Sequence, residues 1–267
     1  MNGSVPSKRG ANQGASDLDR GRGSDKLADN ARVGPGDGTL VTICALIAAF
    51  NEEESVAAVV AGVKPLVLET VVVDDGSADR TAERAAAAGA IVLRHDRNRG
   101  KGSAIRTGLA RALAGSATHV LFIDGDLQHD PSDVPRLVEA AERTGADLVI
   151  AERAFTKGQM PTARFYSNRI GSRILSSFIG TEVADSQSGF RLIRSNRLRR
   201  LELTATGYEI ETEMLIKLTR AGASLERISI PARYHGAKSK LRSFRDTFRT
   251  CMLAVRYRYL TRHPDTV

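Results

Sequence analysis

Apolar runs of strand length recur along the first 150 residues at intervals of 20–30 positions. The first, residues 40–48 (LVTICALIA), is apolar enough for burial on both faces. Residues 70–73 (TVVV), 90–93 (AIVL), 119–123 (HVLFI) and 147–150 (DLVI) follow. These runs are short, rich in β-branched residues and bounded by turn formers, which predicts strands. Helical stretches separate them. The spacing predicts a helix over 51–62, whose leading glutamates, Glu52, Glu53 and Glu54, suit the positive end of a helix dipole. An alanine-rich helix follows, with Ser77 as its N-cap and Gly89 as its stop. Further helices are predicted over 104–114 and after Pro131. Strand–helix alternation with right-handed crossovers builds a parallel sheet covered by helices on both faces. The predicted class is α/β.

The second half is less regular. Residues 164–180 read as a helix with Phe165, Ile170, Ile174, Leu175 and Phe178 apolar. Another helix opens near Gly207, with Ile210, Met214 and Leu218 on one face, and residues 227–230 read as a strand. Residues 241–262 form an amphipathic helix: Phe244, Phe248, Cys251, Met252, Val255 and Tyr259 share one side, beside a stripe of Arg242, Arg245, Arg249 and Arg256. Such a helix suits an interfacial membrane anchor, or packing on the domain with solvated arginines. At the other end, residues 1–38 hold hardly any large apolar side chains and cannot offset their ordering entropy, so a disordered tail is expected. The expected organisation is a tail (1–38), one α/β domain (39–240) and a C-terminal basic helix (241–267).

Composition narrows the partners. The 267 residues are 42% hydrophobic, enough for a sizeable core, and carry a net charge of +8. That excess suits phosphates, nucleic acid or an anionic membrane. Nucleic acid is disfavoured, because aromatics are only 5% and no recognition motif is present. No apolar run approaches the length of a transmembrane helix, and the N-terminus lacks the apolar core of a secretory signal. Cys44 and Cys251 lie far apart in apolar contexts, as expected of buried thiols in a reducing compartment.

The chemistry concentrates where strands end. The run 119–123 leads into Asp124-Gly125-Asp126-Leu127-Gln128. If the chain stays extended there, Asp124, Asp126 and Gln128 point to one side. Their oxygens suit a hard cation, Mg²⁺ or Mn²⁺, which takes its remaining ligands from phosphate and water. The same residue types also make an ordinary polar turn. Asn51-Glu52 and Asp74-Asp75-Gly76-Ser77 close two other strands. Three carboxylate clusters on one edge of one sheet favour a ligand site, since that edge is where open α/β sheets bind ligands. Gly100 and Gly102 precede a helix and could cradle phosphate, although the spacing is not that of a Walker loop.

The ordered series Ala-Ala-Phe-Asn-Glu, Val-Val-Asp-Asp-Gly-Ser, Asn-Arg-Gly-Lys-Gly and Asp-Gly-Asp-Leu-Gln-His-Asp-Pro resembles the family 2 glycosyltransferases of the GT-A fold. Among them it looks most like the dolichyl- or polyprenyl-phosphate sugar synthases, over about residues 40–240. Ala48 and Phe50 stand where the family more often has Pro and Tyr, and Gly125 where it more often has Ala. The resemblance implies a GT-A, Rossmann-like nucleotide-sugar-binding domain and an inverting, metal-dependent transfer to a polyprenyl phosphate. By the same resemblance, Glu52 and Asp75, with Asp74 nearby, hold the nucleoside of a GDP- or UDP-sugar, next to Ala48 and Phe50. Asp126 and Gln128 bind Mg²⁺ or Mn²⁺, and Asp124 contacts metal or ribose. Arg153 and Ser188 grip the acceptor phosphate. Arg233 and Lys240 belong to a basic loop that closes over the donor diphosphate. Glu211 or Glu213 would serve as general base if the acceptor were a hydroxyl; an ionised phosphate needs none. The expected location is the cytoplasmic face of a membrane, held peripherally.

Overall fold

The structure, a computed structural model, describes residues 32–33, 40–154, 172–173, 175–177, 180, 183, 185 and 188–231. Strand β1 (Arg32–Val33) pairs antiparallel with β2 (Leu40–Val41). It falls inside the segment expected to be a disordered tail, so backbone pairing begins before the boundary drawn at 38. The five strands expected before residue 155 are present: β3 (Ile43–Ala49), β4 (Glu69–Asp74), β5 (Ile91–Arg94), β6 (His119–Asp124) and β7 (Leu148–Ala154). With β8 (Arg191–Arg194) and β9 (Leu225–Pro231) they form a seven-stranded sheet of order β5-β4-β3-β6-β8-β7-β9.

Pairings among β5, β4, β3 and β6 are parallel, as is β7 with β9. The sheet is nevertheless mixed, because β8 runs antiparallel between β6 and β7. The sequence pattern concealed this strand. Phe190 and Leu192 enter one core and Ile193 the other, in the alternation of a central strand. Arg191 interrupts the apolar run, yet it is fully buried.

Alternation also builds the two cores. Ile43, Ala45, Ile47 and Ala49 of β3 face one side, while Cys44 and Leu46 face the other. The first core is covered by α1 (Val56–Val63), α2 (Thr81–Ala87) and α4 (Val134–Thr144). The second is covered by α3 (Lys101–Ala114) and α6 (Ile210–Arg220). A short α5 (Ser195–Leu198) follows β8. Each large apolar side chain buried this way contributes about 1.5–3 kcal/mol. Residues 172–173 and 175–177 are helical, within the helix expected over 164–180. The expected helix over 241–262 lies outside the described residues.

Two helix starts differ from expectation. Helix α1 begins at Val56, so the glutamates sit in the preceding turn and not in the first helical turn. Helix α2 begins at Thr81, after Arg80, so Ser77 is not its N-cap. Its hydroxyl accepts instead from Asn51 N at 2.9 Å, and its amide donates to Asp74 Oδ1 at 3.0 Å. Further bonds join the loop after β3 to the loop after β4, from Ala78 N to Asn51 Oδ1 (3.0 Å) and from Glu52 N to Thr81 Oγ1 (2.8 Å). These contacts tie together the loops that flank the site.

Candidate active site

The carboxyl ends of β3, β4 and β6 lie level across the sheet. Ala48 is paired with Asp124, and Ala49 with Asp74. The clusters predicted on one edge therefore do share it. What each side chain does there depends on its own partners.

The triplet after β6 is not extended. The strand stops at Asp124, and the chain turns with Leu127 at a φ of 60°. Asp126 Oδ1 accepts from Gln128 N at 3.0 Å, and Asp126 Oδ2 accepts from Gln128 Nε2 at 2.7 Å. A side-chain turn, not strand alternation, thus brings Asp126 and Gln128 together. Burial first, then the neighbouring Asp124 charge and Glu52, raise the Asp126 carboxyl to about 6 against the opposing Gln128 amide and Lys101 charge. Crowded, partly desolvated carboxylates of this kind are relieved by a cation. The donor set is open: among the described residues, no three His, Cys, Asp or Glu side chains form a metal cage. Two carboxylates and an amide oxygen suit a hard cation that shares its remaining positions with phosphate and water. A Cβ at Gly125 would make only ordinary contacts, the nearest 3.5 Å from Ala49, so glycine between the aspartates is not required by space.

Asp124 has a second partner that the sequence reading left unassigned. Lys101, the first residue of α3, places Nζ 2.6 Å from Asp124 Oδ1 and 2.6 Å from Glu211 Oε1. Burial works against charge on this lysine, but the two carboxylates overcome it and hold the ammonium protonated above the usual lysine range. Burial likewise opposes ionisation of Asp124, and Lys101 outweighs it, keeping the carboxyl below the ordinary value. Ala48, Lys101, Asp124, Gly189, Arg191 and Glu211 line one small recess. Arg191 donates to the carbonyls of Ser188 (2.7 Å) and Glu211 (2.6 Å).

Several expected roles change. The Asp75 carboxylate is buried and accepts from Arg99 N (2.9 Å) and Gly100 N (2.8 Å), with His95 Nδ1 at 2.6 Å. It fixes the segment before α3 and presents no open edge to a nucleoside. Asp74 is also buried, bonded to Ser77 N and paired with Arg94 at 3.1 Å. Gly100 and Gly102 do not cradle phosphate. Thr206 O accepts from Gly102 N at 2.9 Å, and a Cβ at either glycine would stand within 2.5 Å of a carbonyl oxygen in the 205–206 segment. They are glycines because another backbone passes close by. Ser188 is fully buried, and its hydroxyl donates to Ala151 O at 2.6 Å, so it braces β7 instead of facing a phosphate.

Other candidates are better placed. Glu52 and Phe50 are half-buried beside the turn, and Ser55 Oγ donates to Glu52 Oε2 at 3.2 Å. Arg153 lies within β7. Its Nε and Nη2 fork onto Asp185 at 2.7 and 3.1 Å, and Nη1 reaches Gln128 Oε1 at 3.5 Å. Sequence reasoning gave Asp185 no role, although it stands just ahead of Ser188. It also missed His129, buried against Phe190 with ring centroids 5.2 Å apart. Burial and the nearby Arg153 charge bring that imidazole down to about 4, so it is neutral at physiological pH. Glu213 is fully buried and accepts from Thr204 N, Thr204 Oγ1 and Ala205 N. Arg233 and Lys240 lie outside the described residues.

Comparison with known proteins gives the arrangement its family. The model of glycosyl transferase family 2 matches residues 44–201, which span β3 to just beyond α5. The undecaprenyl-phosphate mannosyltransferase of Micrococcus luteus is 31% identical over 201 residues, 70% of this chain and 82% of that protein. Glycosyltransferase AglJ of Haloferax volcanii is 31% identical over 213 residues, 76% of this chain and 68% of its own length. Glucosyl-3-phosphoglycerate synthase from Mycobacterium tuberculosis, solved with Mn²⁺, uridine diphosphate and glucosyl-3-phosphoglycerate, superposes with a TM-score of 0.66. It is 28% identical, covering 81% of this chain and 79% of that one. The mixed sheet is the GT-A architecture. Carboxylates level on the edge of that sheet, the motifs in their order and the extent of these matches place the chain in glycosyl transferase family 2.

Proposed function

We propose that this glycosyltransferase moves a sugar, with inversion, from a nucleoside-diphosphate sugar to a polyprenyl phosphate, using Mg²⁺ or Mn²⁺, at a membrane surface. The observation that carries this reading is the state of the two acidic side chains on α6. Glu211 is held against the Lys101 ammonium, and Glu213 is occupied by the 204–205 backbone. Neither is placed as a general base. An acceptor phosphate arrives ionised and needs none, whereas a hydroxyl acceptor requires proton removal.

In this scheme Asp124, Asp126 and Gln128 would hold the cation, which would supply Lewis acidity toward the leaving nucleoside diphosphate. Arg153, its guanidinium fixed by Asp185, presents a preorganised cation beside Gln128 for phosphate oxygens. The acceptor oxygen forms a bond to the anomeric carbon as the bond from that carbon to the diphosphate oxygen breaks. Buried Asp75 and Asp74 support the donor edge by fixing the loops on which it stands. Arg233 and Lys240 are proposed to close over the diphosphate, and residues 241–262 to contact the membrane. Among the described residues, no helix is long and apolar enough to cross one.

A second reading has its own support. The solved relative was captured with a glucosylated phosphoglycerate, so a small phosphorylated hydroxyl acceptor fits the same architecture. The deciding assay supplies labelled GDP- and UDP-hexoses with Mn²⁺ and either a short polyprenyl phosphate or phosphoglyceric acid. Label in the organic phase is expected. Label confined to the aqueous acceptor would replace the first reading with the second.

A further inference from the structure

Lys101 occupies a position that local rules disfavour. It opens a fourteen-residue helix, where the dipole opposes a cation, and only 14% of its side chain is exposed. Its N-cap, Gly100, carries a φ of 94°, and Gly102 follows with the 205–206 backbone packed against it. The chain thus spends two glycines on a close backbone approach and accepts a desolvated charge to put this ammonium where it is. There it touches two carboxylates from different elements: Asp124 at the end of β6 and Glu211 on α6. The Tyr208 ring covers it, with the centroid 5.5 Å from Nζ. Asp124 belongs to the donor edge, while α6 lies on the helical layer facing the recess. A local rule broken without a packing reason points to function.

We propose that Lys101 is a positioning residue for sugar transfer. It is a fixed monovalent counterion that ties Asp124 to Glu211, sets the spacing between the donor edge and α6, and tempers how strongly Asp124 draws a divalent cation. The inference rests on the sugar-transfer reading above for its kinetic arm only. A merely structural lysine would raise or lower stability, metal affinity and turnover together. A positioning counterion separates them. Removing its charge leaves Asp124 uncompensated beside Asp126, so metal affinity rises, while the spacing that turnover needs is lost.

The test compares K101M, K101R, E211Q and K101M/E211Q with wild type. Mn²⁺ is titrated into the nucleotide-free proteins, thermal melting is followed without metal, and nucleoside diphosphate release is followed with the donor that wild type turns over. K101M is expected to bind Mn²⁺ about tenfold more tightly, and E211Q about tenfold more weakly, in line with one charge removed near the ion. The double variant, which loses one charge of each sign, should return to near wild-type Mn²⁺ affinity and melting temperature. Its turnover should stay at least tenfold down, and K101R should recover most of that loss. Unchanged Mn²⁺ affinity in both single variants overturns the proposal, as does a double variant whose turnover recovers along with its stability. If K101M does not fold, the double variant and K101R still decide. If wild type transfers no sugar to polyprenyl phosphate, the functional reading fails, yet the Mn²⁺ titration still tests Lys101, because it needs neither donor nor acceptor.

Discussion

At the scale of single residues, neighbouring partners separate similar carboxylates into different roles. Asp75 and Asp126 both follow a strand on the same edge. Asp75 is enclosed by two backbone amides and His95, while Asp126 shares its site with Asp124 and Glu52. Only the latter arrangement is improved by a cation. Substitution D126N removes like-charge repulsion and keeps an oxygen to accept from Gln128 N. Transfer is expected to fall at least a hundredfold, about 2.7 kcal/mol of barrier. Urea unfolding of the metal-free variant should stay within about 1 kcal/mol of wild type. Turnover retained at saturating Mg²⁺ would refute the metal assignment.

At the scale of elements, the junction between α3 and the loop before α6 holds the site together. Glu213 latches that loop through the amides of Thr204 and Ala205. Burial opposes its ionisation, but those amides and the Thr204 hydroxyl outweigh it and keep the carboxyl below its ordinary value of 4.5. A folded-state value below the unfolded one stabilises fully above the unfolded value and is lost as pH falls through the folded one. Wild type should therefore lose stability on acidification below about pH 5. E213Q should start about 2 kcal/mol lower at neutral pH and decline less over that window, as urea midpoints will measure. The same junction explains why Gly102 matters. In G102A the new methyl would stand 2.5 Å from Ala205 O, whereas at Gly145, with a φ of +67°, nothing lies within 4 Å. G102A should cost about 3 kcal/mol by overpacking against backbone, and G145A only about 1 kcal/mol from the left-handed conformation. Paired denaturation curves will show whether that order holds.

At the scale of the whole molecule, the basic charge can be assigned by comparing two parts of the chain. The carboxylate clusters lie on the edge formed by β3, β4 and β6, whereas Arg242, Arg245, Arg249 and Arg256 belong to the C-terminal segment, outside the described residues. Replacing Arg242, Arg245 and Arg249 together by Gln should leave kinetics on a short acceptor unchanged. Binding to anionic vesicles should weaken by about 1 kcal/mol per charge, measured by sedimentation. Slower turnover on the short acceptor would instead assign these arginines to the catalytic domain.

Periodicity alone determined much of this protein. Five apolar runs at regular spacing predicted β3 to β7, and turn residues after three of them predicted carboxylate clusters on one shared edge. Local chemistry of this kind is written in consecutive residues, so it is legible there. The motifs in order were enough to show the family. Tertiary structure decided what depends on partners remote in sequence. Strand β8 was hidden because its buried Arg191 is satisfied by carbonyls from Ser188 and Glu211. Ser188 and Asp75 looked like ligand contacts until their hydrogen bonds were found to be taken by Ala151, Arg99 and Gly100. Lys101 was an unremarked member of a glycine-rich motif until folding set it between two carboxylates, one of them 110 positions away in the chain (211 − 101). A hydrogen bond or ion pair is a property of two groups in space, and the strand pattern records only one of them at a time.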